Sequence, residues 1–519
     1  MTPIAWIVVS LTLLIFLLRQ SKKPTLERRR LPPGPKRLPI LGNAHQLPLE
    51  YQEKMFWTWA KTYGKYPRHC NLIYAEFFGH RTLVINSFKI ARDLLDKRGA
   101  IYSSRPRLLT MVELIGWDPT LVFAPYHSEH RKKQRRWVQA AFGEKDTIRQ
   151  YENMQQRETY RLLQSLMQTP GDFVKHMNRF TVALILESVY GHRVTSLDDK
   201  YVAMMDRAMQ ATNACGPAGG GLADYLPFLK YIPTWMPGAG FMRTAMRGRE
   251  LVRIAHYAPF EMVRNAMKSG DAPVSFTSEL VGKAEKADRL DEEENDIRYA
   301  AGTLYAAGSD TTNAVLQTFF LAMVLHPNVL KTAQEEIDRA VGSDRLPTLE
   351  DRPNLPYIEC ILKETYRWHP ALPLGVPHHL TEDDEYEGYY LPKDTPVVTN
   401  LWAMARDENM YDNPDEFRPE RFLEANPEIE DPRNIVFGYG RRLCPGRLFA
   451  DTTLFLAISG IAATLDIRKA RDSAGNIITP EGTFFSAFVS YPKEYKCAIT
   501  PRSLTAVHVV ADALANVEV

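Results

Sequence analysis

A single cysteine, Cys444, stands in the run FGYGRRLCPG at residues 437–446, and this short stretch constrains the fold more than any other part of the chain. Gly438, Gly440 and Gly446 let the main chain turn tightly and come close to a flat ligand. Pro445 suits the first turn of a helix, and residues 447–460 (RLFADTTLFLAISG) read as that helix. The thiolate is the metal-binding and nucleophilic form of cysteine, and nearby arginines, a helix N-terminus or a metal all lower the thiol pKa. Arg441, Arg442 and the predicted helix start supply the first two. A lone cysteine before a helix is more often a buried structural residue, so the weight falls on its neighbours and on matching features elsewhere.

The five cysteines (Cys70, Cys215, Cys360, Cys444 and Cys497) are scattered and form no C-x-x-C pair. That argues against a disulfide framework or a structural zinc site and fits a reducing compartment. At 519 residues, 45% hydrophobic and 24% charged, the chain can bury a large core, and no linker divides it after residue 45. The net charge of +2 hides an asymmetry: residues 19–37 hold eight Lys or Arg against Glu27 alone. Nothing beyond them forms a nucleic-acid footprint.

Residues 1–18 carry no charged side chain, and eighteen helical residues rise about 27 Å, close to the hydrocarbon core of an endoplasmic reticulum bilayer. The basic run follows this segment, and no small-residue cleavage site is present, so it reads as an uncleaved single-pass anchor with the basic flank and the remaining chain in the cytosol. Residues 31–35 (LPPGP) then make a stiff joint. The division expected is an anchor at 1–18, a basic and proline-rich hinge at 19–45, and one large domain at 46–519.

Within that domain, residues 75–86 suggest a hairpin around Gly79, and residues 88–98 a helix. Residues 103–126 are apolar without clean periodicity, and residues 129–142 (EHRKKQRRWVQAAF) form a strongly basic helix. Residues 150–290 are mostly helical by pattern, except for 213–240, whose Gly and Pro oppose a helix around Tyr225, Phe228, Tyr231 and Trp235. Residues 296–326 form a long helix with little charge, its start charged or capped by Asp296. In its middle, Gly308, Ser309, Asp310, Thr311 and Thr312 replace the Leu and Ala that would favour a helix. Threonines bonding back to the i−4 carbonyl bend helices, which is the structural reading of that break. Glu364 and Arg367 share a face of the helix at 357–369, residues 388–400 read as strand, turn and strand, and residues 483–488 as a hairpin tip.

Phe437, Gly440, Arg442, Cys444 and Gly446 stand at the spacing F-x-x-G-x-R-x-C-x-G, which resembles the haem-binding loop of the cytochrome P450 family of haem-thiolate monooxygenases. Other motifs follow in the family's order: AGSDTT at 307–312, Glu364-x-x-Arg367, and the Pro419-x-Arg421-Phe422 segment that completes a buried trio. The resemblance implies a mainly α fold with small β-sheets, an N-terminal transmembrane helix and one large haem domain. It implies haem b with Cys444 on iron, whose thiolate favours O–O cleavage, and a role for Asp310 and Thr311 in guiding protons during oxygen activation.

The family's two outer propionate contacts are where this sequence departs from the pattern. Counting back from Phe142 puts Arg131 and Arg135 in the Trp-x-x-x-Arg places, whereas counting forward from Tyr126 gives His130 and Gln134; Arg135 is preferred. His379 stands where an arginine is usual, a weaker partner when neutral. The family's partners would be O2, a hydrophobic small molecule, a membrane and a separate NADPH-cytochrome P450 reductase, because the chain has no dinucleotide fingerprint or flavin domain. The texture resembles microsomal enzymes of fungal secondary metabolism. Two other readings are a haem-thiolate isomerase or dehydratase needing no reductase, and a non-enzymatic haem sensor; neither requires the Asp310-Thr311 pair.

Overall fold

A computed structural model of the chain describes residues 30–64, 71–216, 221–423 and 428–518. The expected anchor at 1–18 and most of the basic run lie outside them. The main helices are α1 (Gln52–Tyr63), α2 (Glu129–Phe142), α3 (Glu152–Gln168), α4 (Phe173–Tyr190), α5 (Lys200–Asn213), α6 (Gly240–Ser269), α7 (Leu290–Leu325), α8 (Pro327–Ala340), α9 (Pro356–Trp368) and α10 (Arg447–Thr464). The strands are β1 (Leu72–Phe77), β2 (His80–Ile85), β3 (His378–Leu380), β4 (Asp384–Tyr386), β5 (Tyr389–Leu391), β6 (Thr395–Thr399), β7 (Leu465–Lys469) and β8 (Cys497–Pro501). The architecture is mainly helical with small sheets.

The expected hairpin is β1–β2, antiparallel, turned at Phe78 and Gly79, both at positive φ. Its sheet runs β1-β2-β6-β3, with β2 parallel to β6 and β3 antiparallel to it. The strand, turn and strand at 388–400 are β5 and β6, but they enter different sheets, since β5 pairs with β4. The 88–98 helix divides into an α-turn, Phe88–Ala91, and a wider π-helical segment, Arg92–Lys97.

The helical core gathers on α7. Gly308 lets α7 approach α4, because a Cβ there would meet Ile185 Cδ1 at 2.7 Å. Gly302 does the same toward α6, where a Cβ would lie 2.1 Å from His256 Cδ2. α7 begins at Leu290, six residues before the start expected, so Asp296 is an interior residue. It is buried and paired with His130 Nδ1 at 2.6 Å and Lys133 Nζ at 3.6 Å.

α10 leaves the Cys444 loop and runs into the core with most of its side chains buried. Among the described residues it alone is, as a single helix, long and apolar enough to cross a membrane, yet 67% of it is buried in the protein. The proline-rich joint packs on the sheet: Tyr74 N–H donates to the Pro33 carbonyl at 2.9 Å, and Gly34 has no room for a Cβ beside Tyr74 O.

Candidate haem site

A cavity of about 320 Å³ lies between the Cys444 loop, the middle of α7, α2, the 103–126 loop and the 483–489 tip. Phe437, Cys444 and Gly446 line it from the loop, and Thr303, Ala307, Gly308, Thr311 and Thr312 from α7. Trp117, Val122, Phe123, Ile185, Met209 and Phe488 give it a largely apolar wall.

The loop is shaped by its glycines unequally. Gly440 has φ of +50°, and a Cβ there would meet Leu95 O at 2.3 Å. Gly446 has an ordinary φ of −88°, and a Cβ added to it would meet nothing within 4 Å. The first glycine is required by the chain itself; the second leaves open space beside the cysteine. Cys444 N–H donates to Phe437 O at 2.8 Å, closing the loop. Burial pushes the Cys444 thiol up, against the main-chain N–H groups of Gly446 and Arg447 and the charges of Arg135 and Arg447. A coordinated metal would deprotonate such a thiol outright.

Five arginines, Arg105, Arg131, Arg135, Arg441 and Arg442, also line the cavity. Burial pushes Arg442 down to about 7, with the positive charges of Arg105, Arg131 and Arg135 acting the same way. Burial also brings Arg105 down to about 9, with Arg131 adding to the shift. Their protein partners are neutral: Arg442 donates to the carbonyls of Ser103 (2.7 Å) and Ala124 (2.7 Å), Arg135 to Leu443 O (2.7 Å) and Arg105 to Val376 O (2.7 Å). Arg131 Nε is buried with no partner. Clustered arginines with no carboxylate among these partners suit a dianionic ligand, since buried charges require opposite charges. The open space beside Gly446 and the thiol suits a flat metal-bearing group. The residues present fit haem.

Arg131 and Arg135, four residues apart, share the cavity face of α2, whereas His130 and Gln134 face Asp296. His379 is not brought to the cavity; its Nε2 lies 3.7 Å from Asp394, and the cavity is lined by His378 instead. Successive residues on a strand point to opposite faces, so a one-residue offset decides which histidine faces inward. Arg105, which sequence reasoning missed, comes from the loop without periodicity.

On α7, Thr311 lines the cavity and its Oγ1 donates to Ala307 O at 2.7 Å. Thr312, Ser309 and Thr303 bond back one turn in the same way. The back-bonding expected structurally is therefore present alongside a hydroxyl facing the cavity. Asp310 is turned away from the cavity toward Tyr491, whose phenol hydrogen-bonds to its Oδ1 and, at 2.9 Å, to its main-chain carbonyl. Burial raises the Asp310 carboxyl to about 7.

Behind the loop, Glu364 and Arg367 are both fully buried and doubly hydrogen-bonded, at 2.7 and 2.8 Å, and Arg421 Nε joins Glu364 at 3.2 Å. A second network, not read from sequence, links Arg352 and Arg433 to Glu359 and Asp451, tying α9 and α10 to the start of the loop.

The family model described as Cytochrome P450 matches residues 32–497. The chain belongs to the cytochrome P450 family. It is 43% identical over 485 residues to Cytochrome P450 monooxygenase 136 of Postia placenta, covering 93% of this chain and 90% of that protein. It is 41% identical to Cytochrome P450 monooxygenase claR of Ampulloclitocybe clavipes (93% and 88%) and 36% identical to Cytochrome P450 monooxygenase ple1 of Rhodocybe pseudopiperita (98% and 96%). P450 enzymes are oxidoreductases that bind haem through a cysteine thiolate on iron, use O2 and a redox-partner reductase, and act on hydrophobic substrates.

Proposed function

We propose that this P450 inserts one oxygen atom from O2 into a hydrophobic small molecule of fungal secondary metabolism, terpenoid or polyketide in type. The observation that carries this reading is that Cys444 and Thr311 line one largely apolar cavity bordered on another side by arginines whose hydrogen-bond partners are neutral carbonyls. Haem b bound there supplies oxygen activation, with the thiolate donating electron density to the iron.

The residues divide the work. Cys444 would hold the iron; Phe437, Gly440 and Gly446 shape its loop; Arg442, Arg131, Arg135 and Arg105 would hold the propionates, with His379 outside this set. Thr311 gives its hydroxyl proton to Ala307 O, which leaves its acceptor side for a water or proton donor in the cavity. Asp310 holds the proton that this relay passes on. The apolar wall excludes bulk water and orients the substrate carbon.

Electrons come from a membrane-bound NADPH-cytochrome P450 reductase, attracted by exposed basic side chains of α2 such as Lys132 and Arg136. Residues 1–18 anchor the chain in the endoplasmic reticulum membrane, with the haem domain in the cytosol. The exposed Phe228, Tyr231 and Trp235 suit the interfacial layer.

The test is spectroscopic and kinetic. Reduced wild-type protein under carbon monoxide should give the red-shifted Soret band of a thiolate-ligated haem, and Cys444→Ser should lose it while staying folded; retention of the band would refute the ligand assignment. Reductase-supplied Thr311→Ala should keep haem and release more peroxide per NADPH consumed, and unchanged coupling would refute the relay.

A further inference from the structure

Asp310 has an unusual setting for an acid that must pass protons. Adjacent helical residues do not share a face, so while Thr311 meets the cavity, Asp310 is carried to the C-terminal segment and the end of α5. Its Oδ2 is buried with no hydrogen-bond partner. No lysine or arginine is among the groups acting on it; the neighbouring charge is Asp206 of α5, which opposes ionisation. The two groups that favour ionisation are both neutral donors, the Tyr491 phenol and the Asn213 amide.

A carboxyl buried without a cation or donors stays neutral across physiological pH and does not release its proton. A phenol that donates to one carboxylate oxygen stabilises the charged form, so the same acid can lose and regain its proton. Tyr491 is well placed for this, being held at once by the Asp310 carboxyl and the Asp310 main-chain carbonyl, with Asn313 also acting on its hydroxyl.

The support for Asp310 also comes from the wall of the substrate cavity. Phe488 and Val489, which line the cavity, precede Tyr491 by three and two residues, and Val489 N–H donates to Asn213 Oδ1 at 3.2 Å. Met209 and Thr212, from the same helix as Asn213, line the cavity too.

We propose that Tyr491 is a positioning residue for proton supply: its phenol holds Asp310 and allows this buried acid to ionise, placing the relay under the control of the C-terminal segment that walls the cavity. This rests on the relay role given to Asp310 under Proposed function.

The experiment follows the protonated Asp310 carboxyl in the holoenzyme by pH-difference infrared spectroscopy, its band assigned by loss in Asp310→Asn. In Tyr491→Phe the band should persist to higher pH, its midpoint rising by about one unit, a tenfold tighter hold on the proton, while the haem spectrum stays unchanged. Replacing Tyr491 with 3-fluorotyrosine, a stronger donor of nearly the same size, should move the midpoint the other way and decides the matter if the phenylalanine variant does not fold. An unchanged midpoint in a variant that folds overturns the proposal. The relay itself fails separately, if Asp310→Asn leaves peroxide release per NADPH unaltered; a shifted midpoint in Tyr491→Phe would then still establish the Tyr491–Asp310 link.

Discussion

Glu364 and Arg367 hold each other through two hydrogen bonds one helical turn apart, and neither side chain reaches solvent. Arg367 also donates to the carbonyls of Ala405, Pro414 and Glu416, while Glu364 accepts from Arg418 N–H and from Arg421. The pair therefore pins the segment at 405–421 to α9. Arg367→Ala should cost about 3–5 kcal/mol, because it strands a buried carboxylate and several carbonyls. Urea denaturation and the yield of haem-loaded protein check this; a loss under about 1 kcal/mol would mean that the network is not what secures the segment.

Two glycines of the cysteine loop should fail in different ways. Gly440→Ala forces a side chain into the left-handed region and against Leu95 O, at a cost of about 1–3 kcal/mol even in protein without haem. Gly446→Ala meets no protein atom, so the stability of the haem-free chain should change by less than about 0.5 kcal/mol. Haem affinity should nevertheless fall, since the added methyl occupies the open space beside Cys444. Urea midpoints without haem and haem titrations separate the two.

The arginine cluster makes a prediction about retention of the cofactor. Arg131→Gln and Arg135→Gln should each speed haem loss about ten- to a hundredfold, the equivalent of one charge-assisted hydrogen bond. His379→Gln, whose imidazole faces Asp394, should leave the rate unaltered. Transfer of haem to excess apomyoglobin measures all three.

Acid should destabilise the fold through its buried histidines. Burial lowers His256 to about 4 and holds His369 and His378 well below the ordinary imidazole value. Between the unfolded value near 6.5 and these lower folded values, the unfolded chain binds more protons. Stability is therefore present in full above about pH 6.5 and is lost as pH falls, at up to about 1.4 kcal/mol per pH unit for each histidine. Urea midpoints between pH 7 and 4.5 should show this slope, and His256→Gln should reduce it.

Much of the site was legible because its motifs are local. The cysteine loop, α2, the Thr311 turn and the Glu364-Arg367 pair each follow from residues a few positions apart, where helix or turn geometry sets the neighbours; Arg421 came only with the family's motif order. What escaped depends on parity, phase or long-range packing. His378 and His379 differ by one residue on a strand, and sequence does not say which faces in. Asp310 and Thr311 were read together as a proton-guiding pair, and their different directions follow from the divergence of about 100° between adjacent helical positions, a phase the sequence did contain. Arg105 sits in an irregular loop, and the Arg352-Glu359-Arg433-Asp451 cluster joins segments far apart in the chain, so no periodicity could announce either.

Cys444 lies three residues before α10, a helix sunk in the core and braced at Asp451 by Arg352 and Arg433. The cofactor ligand is thus an extension of the folding core and has no hinge of its own. Letting go of haem and loosening the core become two views of one equilibrium, in which added haem raises the melting point by mass action. A substitution deep in α10, far from any substrate, would then first be noticed as a loss of colour.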